Sequence, residues 1–143
     1  MRYACLCLLS LNLVLLASCS KPPQTPEATP ETRIKQIPPA DPEKYVSLKD
    51  MKAWRNPYLI IRVDGVGLLD VGDNLTQILD PDKLTEALAN LPTSAWPYGR
   101  VVAVQEPNAP SSAEGKARFL KNRALVAGTL KSLDVVITWV PSS

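Results

Sequence analysis

No histidine occurs in this 143-residue chain. That excludes Ser-His-Asp and Cys-His catalysis, histidine-based zinc sites and any imidazole pH switch. Charge of one sign is also lacking. The formal net charge is +2 and no segment concentrates it, whereas a nucleic-acid binder carries a basic stripe. No Gly-x-Ser-x-Gly elbow is present. Gly65-Val66-Gly67 lacks the third glycine and the following helix of a phosphate loop. Cysteine is confined to positions 5, 7 and 19, so no disulfide framework is expected. The length suits one modest domain.

What is present begins with residues 1–20, MRYACLCLLSLNLVLLASCS. Arg2 precedes a mostly apolar run from Ala4 to Ala17. A membrane-spanning helix needs about 20 apolar residues, and this run has the length of a signal-peptide core instead. It ends in Leu16-Ala17-Ser18-Cys19, which resembles the bacterial lipobox. The resemblance implies cleavage before Cys19, diacylglycerol on its thiol and an acylated new amino terminus. Cys5 and Cys7 then leave with the leader, and the mature chain has neither a free thiol nor a disulfide. One acyl chain anchors only marginally, and two or three hold a protein on a bilayer almost permanently. By analogy with enteric sorting, Ser20 after the cysteine favours the periplasmic face of the outer membrane.

Residues 20–43 contain seven prolines, and only Ile34 and Ile37 interrupt their polarity. Such composition predicts a disordered, extended tether over residues 19–44. It serves either to lift the domain off the lipid or only to keep the acylation site accessible.

A folded domain is expected over residues 45–141. Ser47 and Asp50 suggest a capping box for a short helix through Trp54. Tyr58 to Val63 and Val66 to Val71 read as a hairpin around Asp64-Gly65. Gly72-Asp73-Asn74 reads as a turn, and residues 75–79 give no clear signal. Asp80, Pro81 and Asp82 mark a helix start, with Leu79 and Leu84 as a hydrophobic staple. Leu84, Ala87, Leu88 and Leu91 form its apolar face, and Pro92 ends it. Arg100 to Gln105 is a buried-type strand. Ser111 and Glu114 suggest a capping box for a second helix over about 112–132. Ala113, Ala117, Leu120, Ala124 and Ala127 make a narrow small-residue face, widened by Phe119, Val126 and Leu130. Gly128 there implies close contact or fraying. Val135 to Val140 is the last strand. The sum is an α/β (α+β) fold of order β-β-α-β-α-β: a small mixed four-stranded sheet, two helices on one face and right-handed crossovers.

The patterns YLIIRVDGVGLLD, LTEALANLP and WPYGRVVAV, in this order, resemble the periplasmic domain of the ExbD/TolR family. The resemblance covers most of residues 57–140 and implies that fold and a scaffolding role near the cell wall. Members carry a transmembrane helix with an ionisable Asp, which the leader here lacks, so proton coupling is not implied. Separately, Leu120-Lys121-Asn122-Arg123-Ala124, after a strand ending Gln105-Glu106, resembles part of an OmpA-type peptidoglycan-binding domain. That resemblance implies that Arg123, with an acid near Glu106, grips diaminopimelate. The family's Gly-His-Thr-Asp run is absent. Arg123 also fits a guanidinium snorkelling at the edge of the helix's apolar face.

Chemistry-bearing residues are otherwise sparse. Asp64, Asp70, Asp73, Asp80 and Asp82 are dense but lack calcium-loop spacing, and each suits a turn or cap. No metal or cofactor is expected. Trp96 and Tyr98 offer either an exposed aromatic patch or loop aromatics folded onto the core edge. The expectation is a non-enzymatic, lipid-anchored envelope module for a protein partner, with Cys19 the lipidation site. Peptidoglycan binding through Arg123 and Glu106 is the first alternative, and a small carboxylate hydrolase is the second.

Overall fold

The computed structural model describes residues 28–48, 50–69 and 76–141. The leader, Cys19, the first part of the tether, the turn at 72–74, Asp70 and Asp73 lie outside the described residues.

The sheet begins with β1 (Tyr58–Arg62) and β2 (Gly65–Leu69), an antiparallel pair. Arg62 pairs with Gly65, which makes Val63-Asp64 the two-residue turn, one position earlier than expected. Gly65 opens β2 at φ +144°, where a Cβ would also collide with the Leu79 carbonyl oxygen. The sequence expectation of four strands is then corrected. Thr76–Leu79 forms β3, antiparallel to β2. After a 3₁₀ turn come α2 (Leu84–Ala89), β4 (Val101–Gln105), α3 (Ala113–Ser132) and β5 (Val136–Val140). Five strands lie in the order β3-β2-β1-β4-β5, with β1, β4 and β5 mutually parallel along that side. The mixed α/β character holds, with one more strand than expected.

The helix count is corrected as well. Pro30–Lys35 forms α1 inside the stretch expected to be disordered. The Thr29 hydroxyl accepts from the Thr32 amide, Pro30 occupies the first turn, and Glu31 sits at the positive helix end. Ile34 is fully buried and Ile37 nearly so, in one cluster with Leu59, Ile61, Leu84, Val102 and Val104. Two isoleucines supply the apolar area that turns a polar, proline-rich segment into part of the domain. Among described residues, the tether expectation therefore fails from residue 28 onward.

Three helices cover one sheet face. Leu79 and Leu84 both join the main cluster, as the staple requires. In α3 the buried side chains are Phe119, Val126 and Leu130, with Gly115 also buried. The expected small-residue face points outward: Ala113, Ala117 and Ala124 are exposed, and Leu120 is 59% exposed. Large side chains bury more apolar area than alanines, and the helix turns accordingly. Gly128 faces open space, so it makes no close contact. Ser112, not Ser111, caps α3 by accepting from the Gly115 amide, while Glu114 pairs with Arg118.

The opposite face is covered over β4 by residues 40–48 and 50–57. Tyr45, Trp54 and Tyr98 meet with ring centroids 5.3–6.2 Å apart over Val101 and Ala103. Among the described residues, Ser47 caps no helix. Asp50 instead accepts from the Lys52 amide and starts a 3₁₀ turn, Met51–Ala53. Beneath the aromatics lies Asn56, fully buried. Its Nδ2 donates to the Gly99 and Val101 carbonyls at 2.7 Å each, and its Oδ1 accepts from the Tyr98 amide at 2.8 Å.

Two outcomes follow. Ile34→Ala should destabilise the domain by about 2–5 kcal/mol, because it empties a core position. Asn56→Ala should cost about 2–4 kcal/mol, since it removes three hydrogen bonds and leaves the Val101 carbonyl and the Tyr98 amide without them, the Gly99 carbonyl keeping the Val101 amide. Urea unfolding of the full chain measures both; a change below about 0.5 kcal/mol at Ile34 would place α1 outside the cooperative unit.

Candidate functional site

The residues expected to matter are partly brought together. Glu106 directly follows β4, and its amide donates to the Val140 carbonyl of β5. Arg123 lies midway along α3, and its Nε donates to Glu106 Oε1. The two are therefore an ion pair at the carboxyl ends of β4 and β5. The Arg123 guanidinium carbon also lies 4.9 Å from the centroid of Trp139, inside cation–π range. Trp139 pairs with Val104 in the β4–β5 register, so it stands on the helix-covered face. It sits on the edge strand and stays 41% exposed. A carboxylate, a guanidinium and an indole thus form one open surface cluster.

Trp139 was not singled out from sequence. Within VVITWV it reads as one more strand residue, and only the parallel register puts it beside Arg123. Trp96 and Tyr98 do not form an exposed patch. Trp96 is 4% exposed and belongs to the cluster under the helices. Tyr98 sits on the other face, against Trp54, with its hydroxyl donating to the Ala53 carbonyl. Residues two apart in this loop end on opposite sides of the sheet.

Arg123 and Glu106 are well hydrated and mutually paired, an arrangement that contributes little to stability. Asp64 accepts from Arg62 Nε at 2.8 Å and Nη2 at 3.1 Å, and these hydrogen bonds hold its carboxyl below the usual range. Burial pushes the Tyr58 phenol up, and its hydroxyl donates to Gln105 Oε1 at 3.2 Å. Among the described residues, no group of three or more Cys, Asp or Glu side chains is placed to hold a metal ion. Asp80 begins the turn before α2 without a side-chain capping bond.

The second feature is β5 itself. It is an edge strand with Val136 44% exposed. From Val135 to Pro141 it carries no charge. A shallow groove of about 630 Å³ runs beside it, lined by Ala127, Lys131, Val136, Ile137 and Trp139 among others. Edge strands are commonly blunted by lysine, internal proline or a bulge. The register of β5 on β4 is continuous, and neither lysine nor internal proline interrupts the strand.

Compared with protein-family models, curated proteins and solved structures, the chain finds no match. No helix among the described residues is long and apolar enough to cross a membrane.

Proposed function

We propose that this protein is a lipid-anchored module of the bacterial cell envelope that binds a protein partner without catalysis. Cys19 is the lipidation site, and the periplasmic face of the outer membrane is its place. The lipobox supports the anchor. The binding role rests on one observation, the uncharged and exposed edge strand β5. A partner adds an extended segment along β5: main-chain hydrogen bonds supply affinity, and the groove beside Trp139 selects a side chain. The ExbD/TolR resemblance fits a scaffolding task of this kind.

The Arg123–Glu106–Trp139 cluster favours a second reading, peptidoglycan binding. An arginine and an acid meet at the position that the OmpA-type resemblance implies, and an indole platform suits a sugar or peptide stem. The guanidinium is already engaged by Glu106, so a ligand must share or displace that bond.

Mass spectrometry of the native protein should show Cys19 as the acylated first residue. A free thiol there, or a chain starting at Met1, removes the anchor. Mild crosslinking and co-purification of the lipidated protein from membranes should then capture a partner that Val136→Lys loses. A covalent homodimer as the sole product would replace the foreign partner with a second copy. Sedimentation with purified peptidoglycan decides the second reading: wild type pellets and Arg123→Ala does not if it is right, and wild type stays soluble if it is wrong.

A further inference from the structure

The near-neutral charge of the chain, which reads as evenly spread in the sequence, hides a local excess. Helix α3 carries five of the 16 basic residues, Lys116, Arg118, Lys121, Arg123 and Lys131, but one of the 14 acids, Glu114. Arg118 is paired with Glu114, and Arg123 with Glu106. Lys116, Lys121 and Lys131 are exposed, and among the described residues none of them makes an ion pair. They are spread along about 22 Å of helix, at ~1.5 Å per residue. The solvent side of α3 also carries two large apolar side chains, Leu120 at 59% and Leu125 at 45% exposure. Lys116 with Leu120, and Lys121 with Leu125, stand four residues apart and are therefore neighbours on the helix surface.

We infer that the outer face of α3 rests on an anionic phospholipid surface. A helix lying in a membrane interface binds through its apolar area and through attraction between basic side chains and acidic headgroups, and α3 offers both. Lysine stems add apolar contact while their ammonium groups stay among the phosphates. The occupant follows from where the chain is anchored, so the inference rests on the lipidation proposed at Cys19. Ten residues separate Cys19 from Thr29, and fully extended they span about 36 Å at most. The chain then enters the fold through α1, which packs on the same face of the sheet as α3. Lys35 at the end of α1 lies 3.9 Å from Asp134, just beyond α3. The anchor therefore joins the domain at the layer that bears the basic helix. A contact too weak to hold a free protein becomes intramolecular on so short a connection. A nucleic acid would match the lysines through its phosphates, but it gives the leucines no apolar phase to enter.

The test uses the lipidated chain reconstituted in vesicles of phosphatidylcholine, alone or with roughly a third phosphatidylglycerol. Acylation at Cys19 leaves no free thiol, so Ala124→Cys on the outer side of α3, or Lys52→Cys on the far side of the sheet, takes a single dye. A nitroxide-labelled lipid should quench the dye at 124 in the acidic vesicles and not in the neutral ones. Salt near 1 M, where the screening length is only ~3 Å, should abolish that quench. The dye at 52 should stay bright throughout. Lys116→Gln, Lys121→Gln and Lys131→Gln together should weaken docking roughly a hundredfold, about fivefold per lysine. Leu120→Ser should weaken it as well. All four positions are exposed, so these variants keep the fold. The inference is overturned if neutral vesicles quench the dye at 124 equally, if the quench survives the triple change, or if the two dye positions behave alike. Displacement from the vesicles by duplex DNA overturns it in favour of a nucleic acid. A dye found on Cys19 shows that its thiol was free, and the anchor and this inference then fall together. A flat signal at 124 on an acylated chain overturns the docking alone.

Discussion

Pairing β1 with β4 is the constraint on which this fold turns, and Asn56 is what fixes it. Two parallel strands cannot set their register through a tight turn, because a long crossover joins them. Here the crossover contains β2, β3 and α2. Immediately before β1 stands Pro57, which has no N–H to offer, though its carbonyl accepts from the Ala103 amide. Asn56 continues the ladder with its side chain where the backbone cannot, binding Gly99 and Val101 on one side and Tyr98 on the other. A shift of one residue would break all three bonds and leave the Val101 carbonyl facing a proline that cannot donate. The same lock holds the loop 98–101 at the height where the Asp41 amide reaches the Tyr98 carbonyl and the Arg100 amide reaches Pro38. Gly99 at φ +77° allows that approach, since a Cβ would strike the Pro39 carbonyl. The early segment is therefore held to the domain through β4's approach loop, and Ile34 completes the core from there.

The strands around Asp64 and the two longer helical patterns were legible because local signals agreed. β-branched runs, proline starts and a 3.6-residue period all pointed the same way for Tyr58–Arg62, for Leu84–Ala89 and for Ala113–Ser132. What failed did so through competition between signals. Thr76–Leu79 is short, with only two large apolar residues, and its strand identity comes from a partner, β2, already in place. In α1 the starting signals Thr29, Pro30 and Glu31 were present. They were outweighed by proline content, which describes average behaviour and not what two buried isoleucines do. In α3 two stripes competed for the sheet, and side-chain volume decided. Arg123 and Glu106 were legible as a pair of types, while their meeting and the arrival of Trp139 depend on the register of β5 on β4.

The two sheet edges are managed differently. β3 is short, with Gln77 exposed and one outward isoleucine, Ile78. β5 is fully formed, uncharged and β-branched, which is the composition that invites another strand. An edge of this composition is an aggregation hazard unless a charge lies near it, and Arg123 is the charge beside β5. It is contributed by α3 and lies over the indole that would otherwise be the most adhesive group on the edge.

Arg123 therefore bears on the edge as well as on the proposed peptidoglycan site. A cation held over Trp139 places a charged group at one end of the strand, while Val136 is exposed at the other. Glu106 anchors the guanidinium in that posture, and its own amide closes the β4–β5 ladder at the Val140 carbonyl. Removing Arg123 therefore alters two properties together, the charge offered to a ligand and the solubility of the edge. Those effects have opposite signs for any assay that counts sedimented protein: lost binding lowers the pellet, and a bared edge raises it. A pellet that grows without peptidoglycan present belongs to the edge, and only the difference made by the polymer speaks to recognition.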